Sequence, residues 1–258
     1  MKEFLKRVLP LGLRRWLRNR QRSVKLVLSP LFRIRDFSRL RRVTPMSREF
    51  GYDRGRPVGR YYIERFLSDH AEDVRGHVLE INDDTYTRRF GGSRVTRSDV
   101  LHPVAGNPQA TLVADLTSAE SLPSDRFDCI ICTQTLLVIY DVRAAIRTLH
   151  RILRPGGVLL VTVPGVSHQI SRHDMDRWGD YWRFTKLSAR RLFEEVFPPA
   201  EVHVEADGNV LSAVAFLHGL ATEEFLPEEL DHRDPDYEVS ISIRAIKPSP
   251  LRVEYGRT

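Results

Sequence analysis

Short apolar runs in the middle of this 258-residue chain end on residues that could do chemistry. HVLEI (77–81) opens from Glu80 into Asn82, Asp83, Asp84, Thr85 and Tyr86. RVTRSDV (94–100) carries Asp99, and TLVA (111–114) runs into Asp115 and Leu116. FDCIICT (127–133) leads through Thr133 to Gln134 and Thr135, and VLLVTV (158–163) ends at Pro164-Gly165. An acid at one strand end can accept from both hydroxyls of a ribose. An acid or amide at the next can accept from an adenine amino group. The series suits an adenosine-bearing cofactor, although Asp and Glu at such places also serve as plain turn residues. A second polar stretch holds His168, His173, Asp174, Asp176, Trp178, Asp180, Tyr181 and Arg183. Aromatic faces beside acids and an arginine suit a sugar, whose ring has apolar faces and hydroxyl edges. His168, Trp178, Asp180, Tyr181 and Arg183 are the candidates to hold it. His173 with Asp174 or Asp176 is the candidate general base. The competing reading has the aromatic side chains packing this loop onto a sheet, with Arg183 paired to an acid.

The elements that must position these groups follow from periodicity. The five runs, with 201–206 and 239–246, read as seven strands. Apolar spacing predicts helices over Tyr61–Leu67, Val142–Leu153 and Val210–Leu220, and a further helix over Ser188–Phe197 with Ser188 as its N-cap. Pro155-Gly156-Gly157 stops the second of these. Strands alternating with helices imply an α/β, doubly wound, mostly parallel seven-stranded sheet covered on both faces. Ligands of such sheets bind outside the carboxyl ends of the strands, where the candidate residues lie. Cys129 and Cys132 form a CxxC pattern, but residues three apart in a strand point to opposite faces, so both are expected in the core rather than on a metal.

The order VLEI, RSDV, VADLTSAESLPSDRFDCIICT, RILRPGGVLLVTVP resembles class I S-adenosylmethionine-dependent methyltransferases, in particular a type-11-like branch associated with glycans and polysaccharides. LPSDRFDCI and RILRPGGVLLVTVP carry most of the likeness, which spans residues 77–200, and DRWGDYWRFT resembles a further stretch of that branch. The resemblance implies a Rossmann-like methyltransferase fold with S-adenosylmethionine as cofactor and O-methylation of a sugar or glycan-linked acceptor. It implies that Glu80 opens the cofactor motif, Asp99 binds ribose, Asp115 and Leu116 flank adenine, and Thr133 and Gln134 line the methionine end. The family's loop reads roughly E-x-G-x-G-x-G, its glycines letting backbone approach the cofactor; here it is Glu80-Ile81-Asn82-Asp83-Asp84-Thr85-Tyr86, without glycine and with Asn82 and Asp83 as the candidate cofactor contacts. A His that many relatives carry falls on Val138, and an expected helix acid on Thr148. These departures keep a second reading open: a non-catalytic binding or scaffold member of the same fold. No GxxxxGK[ST] or GxGxxG loop is present, which disfavours a P-loop NTPase or a Rossmann dehydrogenase.

Composition fits a globular chain, with 41% hydrophobic and 29% charged residues. Charge is uneven. Residues 1–43 hold fourteen basic residues against two acids, a net +12, which leaves the rest of a +6 chain at −6. Phe4, Leu5, Val8, Leu9, Leu13, Trp16 and Leu17 recur at helical spacing between those cations, the pattern of an interfacial amphipathic arm. The expected organisation is a basic arm (1–43), a linker (44–60) and a methyltransferase-like domain (61–258), with an insertion at 208–238 between the last two strands. The arm calls for an anionic membrane surface or a partner protein, with nucleic acid a poorer match. Two cysteines fit a reducing compartment, and no run of about 18 apolar residues or apolar leader is evident, so the expected location is cytoplasmic, peripheral to a membrane's inner face.

Overall fold

A computed structural model describes residues 42–165, 167 and 169–249. The chain divides into two units, Met1–Pro45 and Met46–Thr258, and the fold below is that of the second. The arm expected over 1–43 and its membrane or protein contact lie outside the described residues, apart from Arg42 and Val43. Among the described residues no helix is long and apolar enough to cross a membrane.

Helix α1 (Val58–Asp69) precedes strand β1 (Gly76–Ile81). Strands β2 (Val95–His102), β3 (Leu112–Val113) and β4 (Phe127–Thr133) follow, then α2 (Val142–Ile152) and β5 (Leu153–Pro164). The chain continues through α3 (Arg172–Met175), α4 (Lys186–Glu194), β6 (Val202–Asp207), α5 (Val210–His218), α6 (Pro227–Asp231) and β7 (Ser240–Ile246). The seven strands form one sheet in the order β3-β2-β1-β4-β5-β7-β6. All pairs are parallel except those of β7, which runs antiparallel to β5 and β6. From β1 the chain winds outward to β3 and then returns to β4 beside β1. That reversal opens a crevice at the carboxyl ends of β1 and β4.

The sheet is buried on both faces. Leu79, Ile130, Cys132, Leu159 and Val161 pack against Ala145, Ile146 and Leu149 of α2 and Phe193 of α4. Val78, Cys129, Ile131 and Leu160 pack on the other face against Ile63, Phe66 and Leu67 of α1. The two cysteines therefore enter opposite cores, as alternation requires. Burial pushes both thiols upward, Cys132 to about 12. A third cluster joins Val58 and Tyr62 of α1 to Ala213 and Ala215 of α5.

Several expected boundaries move. Pro155-Gly156-Gly157 do not follow the helix as a loop but lie inside β5, which begins at Leu153. Strand β2 extends two residues further than expected, to His102, and the third strand shrinks to Leu112–Val113. The cap of α4 is Thr185, not Ser188. Ser188 sits at the third helical position of a reciprocal capping box, its own amide donating to Thr185 Oγ1 at 3.2 Å. The expected linker 44–60 is packed from Met46 onward. Met46 and Ser47 amides donate to His218 O at 2.9 Å, and buried Ser47 accepts from the Glu49 and Gly51 amides. Gly51 adopts φ +95, and a Cβ there would lie 2.7 Å from Leu220 O, so this turn requires glycine.

Candidate functional site

A groove of two adjoining depressions, about 410 Å³ each, runs along the carboxyl ends of β1, β2 and β4. Ile81, Pro103, Thr135, Val138 and Trp178 are common to both and make them one surface. At one end Leu101, Ala114 and Leu116 give flat apolar walls beside Asp115. At the other end Arg60, Thr133, Gln134, His173 and Asp174 form a doorway shared with a third cavity of about 370 Å³. That chamber is walled by Phe50, Tyr52, Ile63, Leu137 and Phe216, with Ser240 also lining it. Its size lies within the roughly 300–1,000 Å³ of small-molecule sites.

The first loop is shaped without glycine. Asn82 takes φ +80, a left-handed conformation that Asn tolerates best after Gly. Its amide donates to Leu101 O at 2.9 Å, and its carbonyl accepts from Asn107 Nδ2 at 2.7 Å. The chain then turns back through a single π-helical turn, Thr87–Gly91. Glu80 closes the turn: Oε1 accepts from the Tyr86 amide at 3.1 Å and Oε2 from the Thr87 amide at 2.7 Å. Glu80 is 3% exposed. Burial pushes its carboxyl from 4.5 up to about 7, against the pull of the Thr87 and Tyr86 amides. Gln134, directly after β4, takes φ +49, and Phe50 takes φ +55. Of the four non-glycine residues with positive φ among the described residues, Asn82, Gln134 and Phe50 all line the groove or the chamber. Strain gathered in this way marks functional surfaces.

The structure brings most of the expected residues together. Glu80, Asn82 and Asp83 line the groove, as do Asp115 and Leu116 at its apolar end. Thr133 and Gln134 stand in the doorway with His173 and Asp174. Asp174 is half-buried on α3, its amide donating to Ser171 Oγ at 3.2 Å. His173 Nε2 lies 2.8 Å from Arg177 Nη1.

Other assignments are corrected. Asp99 does not reach the groove. It is 4% exposed in the middle of β2, opposite Leu79, and its carboxylate meets His77 Nε2 at 2.7 Å, Thr111 Oγ1 at 2.8 Å and Arg126 Nη2 at 2.9 Å. Burial alone would raise its pKa; the His77 and Thr111 hydrogen bonds and the Arg126 charge outweigh that and hold it below its ordinary range. Asp176 is exposed and lines neither groove nor chamber. Asp180 and Arg183 clasp their own loop: Asp180 accepts from the Ser171 amide at 2.8 Å and from Arg183, which also donates to Gln169 O at 2.9 Å. Trp178 and Tyr181 line the groove rather than the chamber. His168 lies outside the described residues.

His102, Pro103 and Arg60 escaped the sequence reading, and Tyr86 was read only as part of the polar run after β1. His102 and Pro103 occupy the true end of β2, and the His102 ring meets Trp178 edge-on at 5.7 Å. Arg60 and Tyr86 bond to each other across the doorway side, and Arg60 Nε also donates to Tyr52 Oη at 3.0 Å. The two extra residues of β2 were the missing signal for His102; α1 offered none for Arg60.

Residues 56–201, more than half of the chain, match a family model described as a methyltransferase domain. No curated protein matches the chain. Among solved structures it is similar to a SAM-dependent methyltransferase from Archaeoglobus fulgidus, with 12% identity, coverage of 73% of this chain and 94% of that one, and a TM-score of 0.49. It is also similar to an S-adenosylmethionine-dependent methyltransferase from Mesorhizobium loti, with 16% identity, coverage of 73% and 97%, and a TM-score of 0.47. A third is Haemonchus contortus phosphoethanolamine N-methyltransferase 2 in complex with phosphomonomethylethanolamine and S-adenosylhomocysteine. There the identity is 14%, the coverage 72% of this chain and 53% of that one, and the TM-score 0.48. The chain thus spans about half the length of that enzyme.

Two outcomes follow from the carboxylates. Asp99→Ala leaves His77 and Arg126 beside an empty position. Because the Arg126 side chain is 21% exposed, the cost is at the low end for a broken buried pair, about 3 kcal/mol in chemical denaturation. Ligand affinity of the folded fraction stays unchanged. For Glu80 the folded pKa is raised, so its contribution to stability is complete below about 4.5 and is lost as pH rises through about 7. Melting midpoints of the native protein and Glu80→Gln across that window should differ in slope, the native protein alone showing the decline from this group.

Proposed function

The chain belongs to the methyltransferase-domain family, and from that premise we propose that it moves the methyl group of S-adenosylmethionine to a hydroxyl of a sugar or glycan-linked acceptor seated in the chamber. The observation that carries this reading is the doorway: a groove suited to a nucleoside meets a separate, mostly apolar chamber at Thr133, Gln134, His173 and Asp174.

The residues present fit the cofactor. Gln134 Oε1 is buried without a hydrogen-bond partner at the point where groove and chamber meet, and its two lone pairs let it accept both from the cofactor's amino group and from an acceptor hydroxyl. Ile81, Leu101, Pro103 and Val138 offer apolar walls for a purine, with Asp115 beside them. His102 and Asp83 are placed for sugar hydroxyls, and Arg60 with Arg177 for a carboxylate. The bound cofactor supplies a methyl group already activated by a positively charged sulfur.

The chain's own work is alignment and proton removal. Fixing donor and acceptor on either side of one doorway supplies the orientation that, in favourable cases, contributes about 7–11 kcal/mol of a barrier. Asp174 is the doorway group assigned to take the hydroxyl proton, since Arg177 occupies His173 Nε2. Phe50 and Phe216 suit the apolar faces of a sugar ring, and Ser240, Gln134 and Asp174 its hydroxyl edges. For residues 1–43 the assigned role is electrostatic attraction to an anionic surface.

Calorimetry with S-adenosylmethionine tests the reading, with mass spectrometry of a panel of methyl glycosides and nucleotide sugars incubated with both. Binding within the roughly 1 µM–1 mM range of enzyme substrates is expected. It should weaken at least about tenfold in Arg60→Ala, as for loss of a charged hydrogen bond, and one glycoside should gain a methyl. Absence of binding at millimolar cofactor contradicts the donor site. Binding without transfer to any sugar contradicts the acceptor class.

A further inference from the structure

The chamber floor carries a second unsatisfied group. Ser240, the first residue of β7, is 3% exposed, lines the chamber, and its Oγ has no hydrogen-bond partner. It pairs with Pro164 on one side and Asp207 on the other, so its backbone is fixed by two strands. Gln134 lines the same chamber. Its amide donates to Thr162 O at 2.8 Å and its Nε2 approaches Thr162 Oγ1 at 3.4 Å, which leaves Oε1 buried without a partner. The two groups differ in kind. A serine hydroxyl gives or takes a hydrogen bond, whereas an amide oxygen only takes one.

Leaving such groups unmade costs the empty protein stability, and these two, unlike unpartnered groups sealed in the core, line a cavity that a ligand can enter. Around them the chamber is apolar: Phe50, Ile63, Leu137, Phe216 and Val239. We infer that Ser240 Oγ and Gln134 Oε1 form a polar reading head on the chamber floor, which selects acceptors that present a hydrogen-bond donor to Gln134 and a second hydroxyl to Ser240. The inference rests on the reading of the chamber as the acceptor site and narrows it to ligands with at least two hydrogen-bonding groups on a compact apolar frame. A site of this design rejects an analogue lacking the polar group, because the buried partner is then left bare.

Ser242 supplies the control. It is 2% exposed with an equally unpartnered Oγ, but it sits two residues further along β7, opposite Thr162, and does not line the chamber.

The experiment titrates a vicinal cyclohexanediol and cyclohexene into full-length protein loaded with S-adenosylhomocysteine, followed by amide NMR shifts. The native protein, Ser240→Ala and Ser242→Ala are compared, and melting midpoints are recorded for each empty protein. Ser240→Ala should weaken the diol by about tenfold, as for one hydrogen bond, and leave cyclohexene unchanged. Ser242→Ala should alter neither. Empty Ser240→Ala should melt no lower than the native protein. The inference is overturned if the diol does not bind the native protein, if Ser240→Ala weakens both probes or neither, or if it lowers the melting midpoint, which would mean the hydroxyl has a partner in the fold. S-adenosylhomocysteine affinity is read in the same samples. Its absence would count against the donor groove, while its retention assigns a failure to the reading head alone.

Discussion

The groove depends on one buried carboxylate. Glu80, next to last in β1, holds the amides of Tyr86 and Thr87, so the chain reverses within a few residues of the strand. Burying a carboxyl is costly unless hydrogen bonds compensate, and here both oxygens accept from backbone amides. The opposing tendencies appear in its titration: desolvation lifts it to about 7 although two amides favour the charged form. Asn82, held at φ +80 between Leu101 O and Asn107 Nδ2, begins the turn that Glu80 finishes. Together they do what a glycine-rich loop does by conformational freedom. The missing glycines were one ground for a scaffold reading, beside Val138 and Thr148 at the positions of the expected His and acid, and the clasp accounts for the turn alone.

The second constraint is the reversal of strand order between β1 and β4, which leaves their carboxyl ends open. Both strands leave the sheet through a left-handed residue, Asn82 or Gln134, and the third such residue lining the site, Phe50, comes from the segment ahead of α1. The chamber is therefore walled by parts outside the central sheet, residues 49–60, the α3 loop and Phe216 of α5, against the strand residues Thr133, Pro164 and Ser240. Helix α5 stays in place because Asn209 caps its start, its Oδ1 accepting from the Ser212 amide at 3.0 Å, and Gly219 ends it at φ +64.

Periodicity made the sheet and most helices legible, since a buried parallel strand is a short apolar run and α2 repeats its apolar residues at helical spacing. The faces of Cys129 and Cys132 followed from alternation alone. Ligation was harder to read than folding. An acid near a strand end looks the same in sequence whether its partner is a ribose or, as for Asp99, a histidine, a threonine and an arginine brought in from 22, 12 and 27 residues away. Asp180 and Arg183 raise the same ambiguity at a separation of three. Ser188 was misplaced because a capping box uses both its ends, and only the backbone tells which residue is the cap. The polar, glycine-containing stretch 44–60 reads as a linker, yet Ser47 and Gly51 fold it against the end of α5.

The central claim is that the carboxyl edge of β1, β2 and β4 is the donor site, closed by Glu80 and independent of Asp99. A crystal structure of the protein with S-adenosylhomocysteine tests it most directly. The account predicts the adenine among Ile81, Pro103, Leu116 and Val138, the amino-acid end at Arg60 and Gln134, and Asp99 still bound to His77 and Arg126. A nucleoside seated elsewhere, or a ribose in contact with Asp99, would contradict it.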